Sequence, residues 1–157
     1  QELGSSLDMS KNTVARYLDL LEKAFVIINA RGFSRNLRKE VTKTSRYYFY
    51  DNGIRNALIE NYNLLHSRDD VGPLWENFLF IERLKKRHYH ALHGNFYFWR
   101  TWDQQEIDLV EEREGRLFGY EFKWKDRASK PPRDWLDIYP EASYEIITRD
   151  NYLNFIT

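Results

Sequence analysis

Hydrophobic positions recur at helical spacing in the first part of the chain. Val14, Leu18, Leu21 and Phe25 follow one another at intervals of four, three and four residues, which places them on one helical face. Ser10 precedes this face and is a favourable N-cap residue, so we predict that a helix begins after it. The preceding segment "QELGSSL" is typical of a shorter helix, and the two helices with the turn "DMSKN" between them form a helix-turn-helix pattern.

Two strand-like segments follow, and the loop between them is strongly basic. The segments "FVIINA" and "RYYFY" predict a β-hairpin, after which "DNGIRNALIENY" predicts a turn into a helix. Between positions 31 and 46, Glu40 is the only acidic residue against six basic ones, Arg31, Arg35, Arg38, Lys39, Lys43 and Arg46. The polar segment "HSRDDVG" then marks a domain boundary, which divides the chain into residues 1–66 and 67–157.

The second region alternates helical and strand-like patterns. We predict helix 74–88, strands 95–101, 106–112 and 117–125, a helix at about 132–138, strand 143–148 and helix 150–156. Short loops join the first three strands, which favours an antiparallel meander. The following helix is expected to cross over to a fourth strand that runs parallel to the third. The second region is therefore predicted to be α/β.

The strand that contains "YEFKWK" can be aligned with the strand before it. A two-residue hairpin loop at 114–115 places Asp108 opposite Glu121 and Glu106 opposite Lys123, with all four side chains on one face of the sheet. The other face then carries the apolar residues Ile107, Leu109, Tyr120 and Phe122. Glu106 and Lys123 would form an ordinary cross-strand ion pair, which contributes about 0.2–1 kcal/mol.

The pair of Asp108 and Glu121 is unusual, because two directly opposed carboxylates repel each other. A divalent cation such as Mg²⁺ between them, or a shared proton, would remove the conflict. Lys123 lies near enough to orient a water molecule or to stabilise charge on a phosphate. This combination indicates phosphodiester hydrolysis, and the alternative is a polar strand face that contributes only solubility.

Composition limits the classes of protein to consider. Lys+Arg and Asp+Glu both number 24 among 157 residues, so only local charge can indicate nucleic-acid binding. The absence of cysteine excludes disulfides and thiolate metal sites and fits a reducing, cytoplasmic location. No apolar run approaches the roughly 20 residues of a membrane helix, and no signal peptide is evident. Because a helical pattern begins almost at Gln1, we expect a C-terminal fragment of a longer protein.

The chain carries, in this order, a glutamate on a helix, an aspartate and a Glu-x-Lys motif. This order resembles that of the PD-(D/E)XK nuclease superfamily, which has a restriction-endonuclease-like αβββαβ fold. The matching positions are Glu76, Asp108, Glu121 and Lys123. The resemblance implies that these four residues are catalytic, that Asp108, Glu121 and Glu76 bind Mg²⁺ or Mn²⁺, and that Lys123 assists the attack of water. Ile107 departs from the motif, which has proline before the aspartate. Glu76 has a second explanation, since an acidic residue early in a helix complements the helix dipole.

Longer sequence segments extend the resemblance over nearly the whole chain. It is similar to the C-terminal half of a prokaryotic AAA-type ATPase family in "SKNTVARYLDLLEKAFVI", "SRNLRKEVTKTSRYYFYDNGIRNAL", "LWENF", "YFWRTWDQQEIDLV" and "YEFKWK". Members carry a P-loop ATPase domain, a winged helix and a nuclease-like domain. The resemblance implies a winged-helix domain in 1–66 and a nuclease-like domain in 67–157. The sequence contains no GxxxxGK[S/T] motif, so ATP would bind only in an N-terminal domain that this chain lacks.

A winged helix-turn-helix implies contact with DNA. The second helix would enter the major groove with Lys11, Asn12, Thr13 and Arg16. The hairpin would act as a wing on the phosphate backbone through Arg31, Arg35, Arg38, Lys39, Lys43 and Arg46. The alternative is a packing module, because winged-helix units often only connect domains.

The sequence therefore predicts the DNA-binding and metal-dependent deoxyribonuclease region of an AAA-type ATPase. Its expected partners are DNA and its own N-terminal ATPase domain, and no membrane is involved. The alternative is a non-catalytic adaptor that positions the ATPase on DNA or on a partner protein. The oligomeric state stays open.

Overall fold

A mixed sheet connects nearly all of the chain that the structure describes. The computed structural model describes residues 6–35, 40–41, 44–125 and 130–157. The strands in these segments are Ile27–Gly32 (β1), Ser45–Phe49 (β2), Asn95–Arg100 (β3), Glu106–Arg113 (β4), Arg116–Phe122 (β5) and Ser143–Ile147 (β6). The helices are Lys11–Lys23 (α1), Asn52–Leu58 (α2), Val71–Tyr89 (α3), Arg133–Ile138 (α4) and Tyr152–Ile156 (α5), with a 3₁₀ turn at Leu65–Ser67.

The predicted order of helices and strands is confirmed. The ends of the elements predicted after position 73 differ from the observed ones by at most three residues. Ser10 is the N-cap of α1, since its side chain accepts a hydrogen bond from the Thr13 backbone N–H. The short helix predicted at "QELGSSL" lies largely outside the described residues.

The strands stand in the order β2-β1-β3-β4-β5-β6. β3, β4 and β5 form the predicted antiparallel meander, and β6 joins β5 in parallel after the crossover through α4. The predicted β1–β2 hairpin is also confirmed, with Ala30 opposite Arg46. β1 pairs in parallel with β3 through Arg31–Tyr97 and Gly32–Phe98. The hairpin predicted as a wing is therefore the edge of one mixed α/β sheet that continues through the second region, and its role as a winged helix stays a prediction.

The register of β4 with β5 is confirmed over five pairs, from Arg113–Arg116 to Leu109–Tyr120. The two loop residues Glu114 and Gly115 both adopt positive φ, 50° and 75°, which suits a tight two-residue hairpin. The strands are therefore aligned as the sequence predicts as far as the residue that precedes Glu121.

A β-bulge interrupts β4 at the candidate site. The pairing of β3 with β4 shifts between Tyr97 and Trp99, where one residue of β3 stands opposite two of β4, Asp108 and Leu109. Beyond the bulge, Ile107 packs with Trp99 in one hydrophobic cluster, while Leu109 lies in the other. The prediction that Ile107 and Leu109 share a face is therefore wrong, because the extra residue reverses the alternation.

The two hydrophobic clusters lie on opposite faces of the sheet. Residues of α3 and α5 cover one face, where the fully or nearly fully buried side chains are Leu79, Phe80, Phe98, Leu109, Ile147 and Phe155. α4 covers the other face, where Trp99, Ile107, Val110, Leu117, Trp135 and Tyr139 pack together. The candidate site described below lies beside the α3 face.

Candidate active site

Three elements bring the predicted catalytic side chains together. α3 carries Glu76 in its second turn and is fixed to the sheet by the fully buried residues Leu79 and Phe80. Asp108 projects from the bulge in β4, and Glu121 and Lys123 come from the end of β5 and the residues after it. The four side chains form one acidic cluster with a single lysine, although they lie far apart in sequence.

Arg46 lies inside this cluster. Its Nη1 donates hydrogen bonds to Asp108 Oδ1 at 3.3 Å and to Glu76 Oε1 at 3.4 Å, and its Nη2 donates to Glu106. The guanidinium also lies 4.8 Å from the ring centre of Phe98. The sequence predicts that Arg46 contacts DNA phosphate as part of a wing; in this conformation its side chain is turned onto three carboxylates, and the DNA contact stays a prediction.

Further hydrogen bonds fix the carboxylates on α3 and β4. The Tyr48 hydroxyl donates to Glu76 Oε1 at 2.8 Å, and the Phe122 backbone N–H donates to Asp108 Oδ2 at 2.9 Å. Both oxygens of Asp108 therefore accept a hydrogen bond, one from Phe122 and one from Arg46. The Asp108 side chain therefore accepts a hydrogen bond from the backbone of β5 just beyond the last β4–β5 pair, Leu109–Tyr120.

Lys123 pairs with Glu121 rather than with Glu106. The Lys123 ammonium lies 2.5 Å from Glu121 Oε1, whereas Glu106 pairs with Arg46 and, at 3.0 Å, with Arg100. The predicted cross-strand pair of Glu106 and Lys123 is therefore wrong, because the positive charges of two arginines take Glu106. Among the described residues, Glu121 Oε2 is buried and has no hydrogen-bond partner.

Burial governs the protonation of the three acids. It raises the pKa of Asp108, and hydrogen bonds from Phe122 and the charge of Arg46 only partly oppose it. Burial and the nearby negative charge of Asp108 together raise the pKa of Glu76 and of Glu121. Burial lowers the pKa of Lys123, yet its contacts with Glu121 and the other acids raise it overall. The cluster therefore favours binding of further positive charge, as a proton or as a cation.

The residues meet the chemical requirement of a divalent metal but are not arranged around one. Carboxylate oxygens are the ligands that Mg²⁺ and Mn²⁺ prefer, and Glu121 Oε2 is a buried oxygen with no donor. Within the part of the chain that the structure describes, however, no three acidic or histidine side chains are placed to hold a metal ion. In this conformation the Arg46 guanidinium lies between Asp108 and Glu76.

Apart from Arg46, the predicted DNA-contacting residues fall into three groups. Lys11, Asn12, Thr13 and Arg16 lie in the first turns of α1, at exposed or half-buried positions. Arg31 is exposed on β1, but the Arg35 guanidinium bonds Glu112 Oε1 at 2.7 Å. The remaining three, Arg38, Lys39 and Lys43, lie outside the described residues. The DNA contacts of this set stay predictions.

Sequence reasoning missed the contribution of β2 to the site. Arg46 and Tyr48 are two residues apart in a strand, so their side chains point to the same face. The Tyr48 ring stacks on Phe80 of α3 with centroids 3.9 Å apart, which turns that face towards Glu76. The alternation "RYY" carried this signal, but the pairing of β1 with β3 was needed to bring β2 near the acids.

Two protein families match this chain. The family described as "Domain of unknown function (DUF4143)" matches residues 71–154, and "Domain of unknown function (DUF8612)" matches residues 1–64. Because the first match covers more than half of the chain, the protein belongs to the DUF4143 family. Residues 65–70 separate the two matched segments and include the boundary that the sequence predicts. The β-sheet nevertheless contains strands from both segments.

Curated relatives are much longer than the aligned segment. "Uncharacterized protein Mb2031c" of Mycobacterium bovis and "Uncharacterized protein Rv2008c" of Mycobacterium tuberculosis are each 34% identical over 133 residues. These alignments cover 83% of this chain and 28% of each relative. An "Uncharacterized protein" of Haemophilus influenzae is 29% identical over 104 residues, covering 66% of this chain and 23% of its own length. The chain thus spans about a quarter of the length of these relatives.

No solved structure matches this chain. Among the described helices, none is both long enough and apolar enough to cross a membrane.

Proposed function

We propose that the cluster of Glu76, Asp108, Glu121 and Lys123 is the active site of a metal-dependent deoxyribonuclease of the PD-(D/E)XK type. The observation that carries the proposal is the convergence of these side chains from α3, the β4 bulge and the end of β5. Like charges gathered in a partly buried cluster need positive charge beside them, which a divalent cation could supply in place of the Arg46 guanidinium that bonds Asp108 and Glu76 in this conformation. The described helices and strands from α3 onwards also follow the αβββαβ order of that superfamily.

Asp108, Glu121 and Glu76 would hold Mg²⁺ or Mn²⁺. The ion would contribute positive charge to a phosphoryl oxygen and lower the pKa of a bound water. The chain supplies the positioning: Phe122 N–H and Tyr48 hydroxyl fix the orientation of Asp108 and Glu76. Hydrolysis adds water oxygen to phosphorus, breaks the bond from phosphorus to the sugar oxygen and transfers one proton to that leaving oxygen.

Lys123 is the residue best placed to act on the phosphate. Its ammonium is bonded to Glu121 and interacts electrostatically with Asp108 and Glu76, and about two fifths of its side chain is exposed. It can therefore reach a phosphate oxygen at the surface while one of its hydrogen bonds holds it in the site. A lysine in this place stabilises the charge that develops on the transferring phosphoryl group.

The same proposal extends to the longer protein. The family of residues 71–154 is typical of C-terminal regions of AAA-ATPase-like proteins, and the relatives have about three times more chain than they share with this one. We propose that this chain is such a region, that ATP binds only in an N-terminal domain, and that Lys11, Arg16 and Arg31 help to hold DNA. These basic side chains are exposed.

The test is DNA cleavage by the full-length protein with Mn²⁺, compared with Asp108→Ala. We expect cleavage by the wild type and a loss of at least about 100-fold in the variant, because a metal ligand disappears. Asp137→Ala is a matched control, since Asp137 is an exposed acid of α4 that pairs only with Arg133 among the described residues. Cleavage that is absent, or equal in wild type and Asp108→Ala, would overturn the proposal.

One observation favours a second candidate, a non-catalytic adaptor that binds a partner protein. α1 is described along its whole length, and none of its residues is buried. The helix exposes the large apolar side chains of Tyr17, Leu20 and Leu21, and Phe25 is exposed two residues beyond its end. An adaptor predicts that Mn²⁺ leaves the melting temperature unchanged, whereas a metal site predicts a rise, because binding to the folded state alone stabilises it.

A further inference from the structure

Arg46 bonds two of the three acids that would hold a divalent cation, Asp108 and Glu76. Its guanidinium bonds Asp108 and Glu76 through one nitrogen and Glu106 through another. With the Phe122 N–H on the second oxygen, Asp108 has a donor on each of its oxygens. A cation that binds Asp108 and Glu76 would therefore have to displace these hydrogen bonds and would stand beside a fixed positive charge.

The surroundings place Arg46 there rather than leave it at the surface. β2 is held against α3 by two bonds of Asn77, which accepts from Phe49 N–H at 2.7 Å and donates to Phe49 carbonyl oxygen at 2.8 Å. Ala30, the partner of Arg46 in the β-ladder, is fully buried and small. The Arg46 guanidinium lies over the Phe98 ring of β3 where it reaches Asp108. A residue larger than alanine at position 30 would obstruct this path.

We propose that Arg46 is a built-in competitor of the metal, so that the site is closed to Mg²⁺ or Mn²⁺ while Arg46 is bonded to Asp108 and Glu76. This inference rests on the proposed nuclease function. Arg46 and the cation cannot bind the same carboxylate oxygens at the same time. Each therefore lowers the apparent affinity of these oxygens for the other. The chain carries its own inhibitor on the hairpin that the sequence assigns to DNA.

Opening begins with rotation of the Arg46 side chain, after which the acids must turn towards a common ion, because no three of them are placed around one among the described residues. About a quarter of the Arg46 side chain is exposed, so the guanidinium has a path to solvent. Asn77 and the stack of Tyr48 on Phe80 keep β2 in place when it leaves. Rotation frees Asp108 Oδ1 and removes one of the two donors on Glu76 Oε1, while Glu121 Oε2 already lacks a hydrogen-bond partner among the described residues.

The experiment is a calorimetric titration of Mn²⁺ into the full-length protein and into Arg46→Gln, with no DNA or ATP present. We expect Arg46→Gln to bind Mn²⁺ at least about tenfold more tightly, which lies within the usual range of coupling between two sites. The melting temperature is a second readout: without metal Arg46→Gln should melt lower, because its acids repel, and Mn²⁺ should raise it by more than in the wild type.

Matched variants make the result specific. Arg100→Gln removes a positive charge that pairs with Glu106 but makes no recorded contact with Asp108 or Glu76 within the described residues, so its Mn²⁺ affinity should equal that of the wild type. Arg46→Lys keeps the positive charge but not the planar guanidinium, so its Mn²⁺ affinity should lie between those of wild type and Arg46→Gln. The lysine variant also provides the comparison if Arg46→Gln folds poorly. Adding Asp108→Ala to Arg46→Gln should abolish the tight binding.

Two results would overturn the inference and are distinguishable. Equal Mn²⁺ affinity in wild type and Arg46→Gln, lost in both with Asp108→Ala, rejects the competition and leaves the metal site standing. An absence of Mn²⁺ binding in every variant rejects the proposed nuclease function and the inference together.

Discussion

Arg46 on β2 donates a hydrogen bond to Asp108 on β4, although β1 and β3 lie between these two strands in the sheet. The contact is 3.3 Å long and links the N-terminal hairpin to the centre of the candidate site. It exists because β1 pairs with β3 and because the bulge in β4 turns Asp108 towards the α3 face. The hairpin therefore contributes Arg46 and Tyr48 to the candidate site.

Glu111 is a buried acid on which three arginines converge. It is fully buried and bonds Arg83 at 2.8 and 3.0 Å, with Arg87 and Arg113 within 3.7 and 3.0 Å. We expect Glu111→Ala to lower the free energy of unfolding by about 3–5 kcal/mol, since it leaves buried arginines uncompensated. The measurement is urea unfolding followed by tryptophan fluorescence.

The neighbouring acid provides the control for Glu111. Glu112 forms an ion pair with Arg35 that is partly exposed, so Glu112→Ala should change the free energy of unfolding by only about 0.5 kcal/mol. Similar losses in the two variants would contradict the role of the buried arginine cluster.

Gly94 is expected to resist any side chain. Its φ is 149°, and a Cβ atom there would lie 2.5 Å from the Glu112 carbonyl oxygen, which belongs to the backbone of β4. Gly94→Ala should therefore lower the free energy of unfolding by about 2 kcal/mol or more. Gly72→Ala is the comparison, because that position in α3 has open space and alanine favours helix, so stability should rise by up to about 1 kcal/mol. Thermal unfolding of both variants measures these changes. An unchanged stability of Gly94→Ala would contradict the close approach of Gly94 to the Glu112 carbonyl oxygen.

The carboxylate at the start of α3 predicts a dependence of stability on pH. Hydrogen bonds from Arg68 at 2.7 Å and from Arg55 at 2.5 Å lower the pKa of Asp70 far below its ordinary value. A lowered folded-state pKa gives stability that is complete above the unfolded pKa of about 4 and is lost as the pH falls towards the folded value.

Asp70→Asn tests this dependence. The difference in free energy of unfolding between wild type and Asp70→Asn should be constant above about pH 5 and should shrink as the pH falls below about 4. Urea unfolding at a series of pH values measures it. A difference that stays the same from pH 7 to pH 3 would show that the ion pairs do not set the pKa of Asp70.

Local patterns predicted most of the elements, and non-local pairing decided the rest. The helix with Glu76 and the strands around Glu121 follow from periodicity and turn residues, which act over a few positions. The bulge at Asp108 has no local signature here, since it depends on how β3 and β4 align at Trp99. The sequence predicts Arg46 as a wing residue on the DNA backbone, because its acidic partners lie 30 to 62 positions away along the chain and leave no local signal.

Lys123 and Lys125 give the most direct test of the central claim, that this cluster hydrolyses DNA. Both belong to "YEFKWK", but Lys123 is bonded to Glu121 in the site and Lys125 is an exposed residue beyond it. The measurement is the rate of DNA cleavage by the full-length protein with Mn²⁺. We predict that Lys123→Ala lowers this rate at least about 100-fold, as removal of one charge-stabilising donor does in other active sites, and that Lys125→Ala retains it. Equal rates in the two variants, or no cleavage by the wild type, would contradict the account.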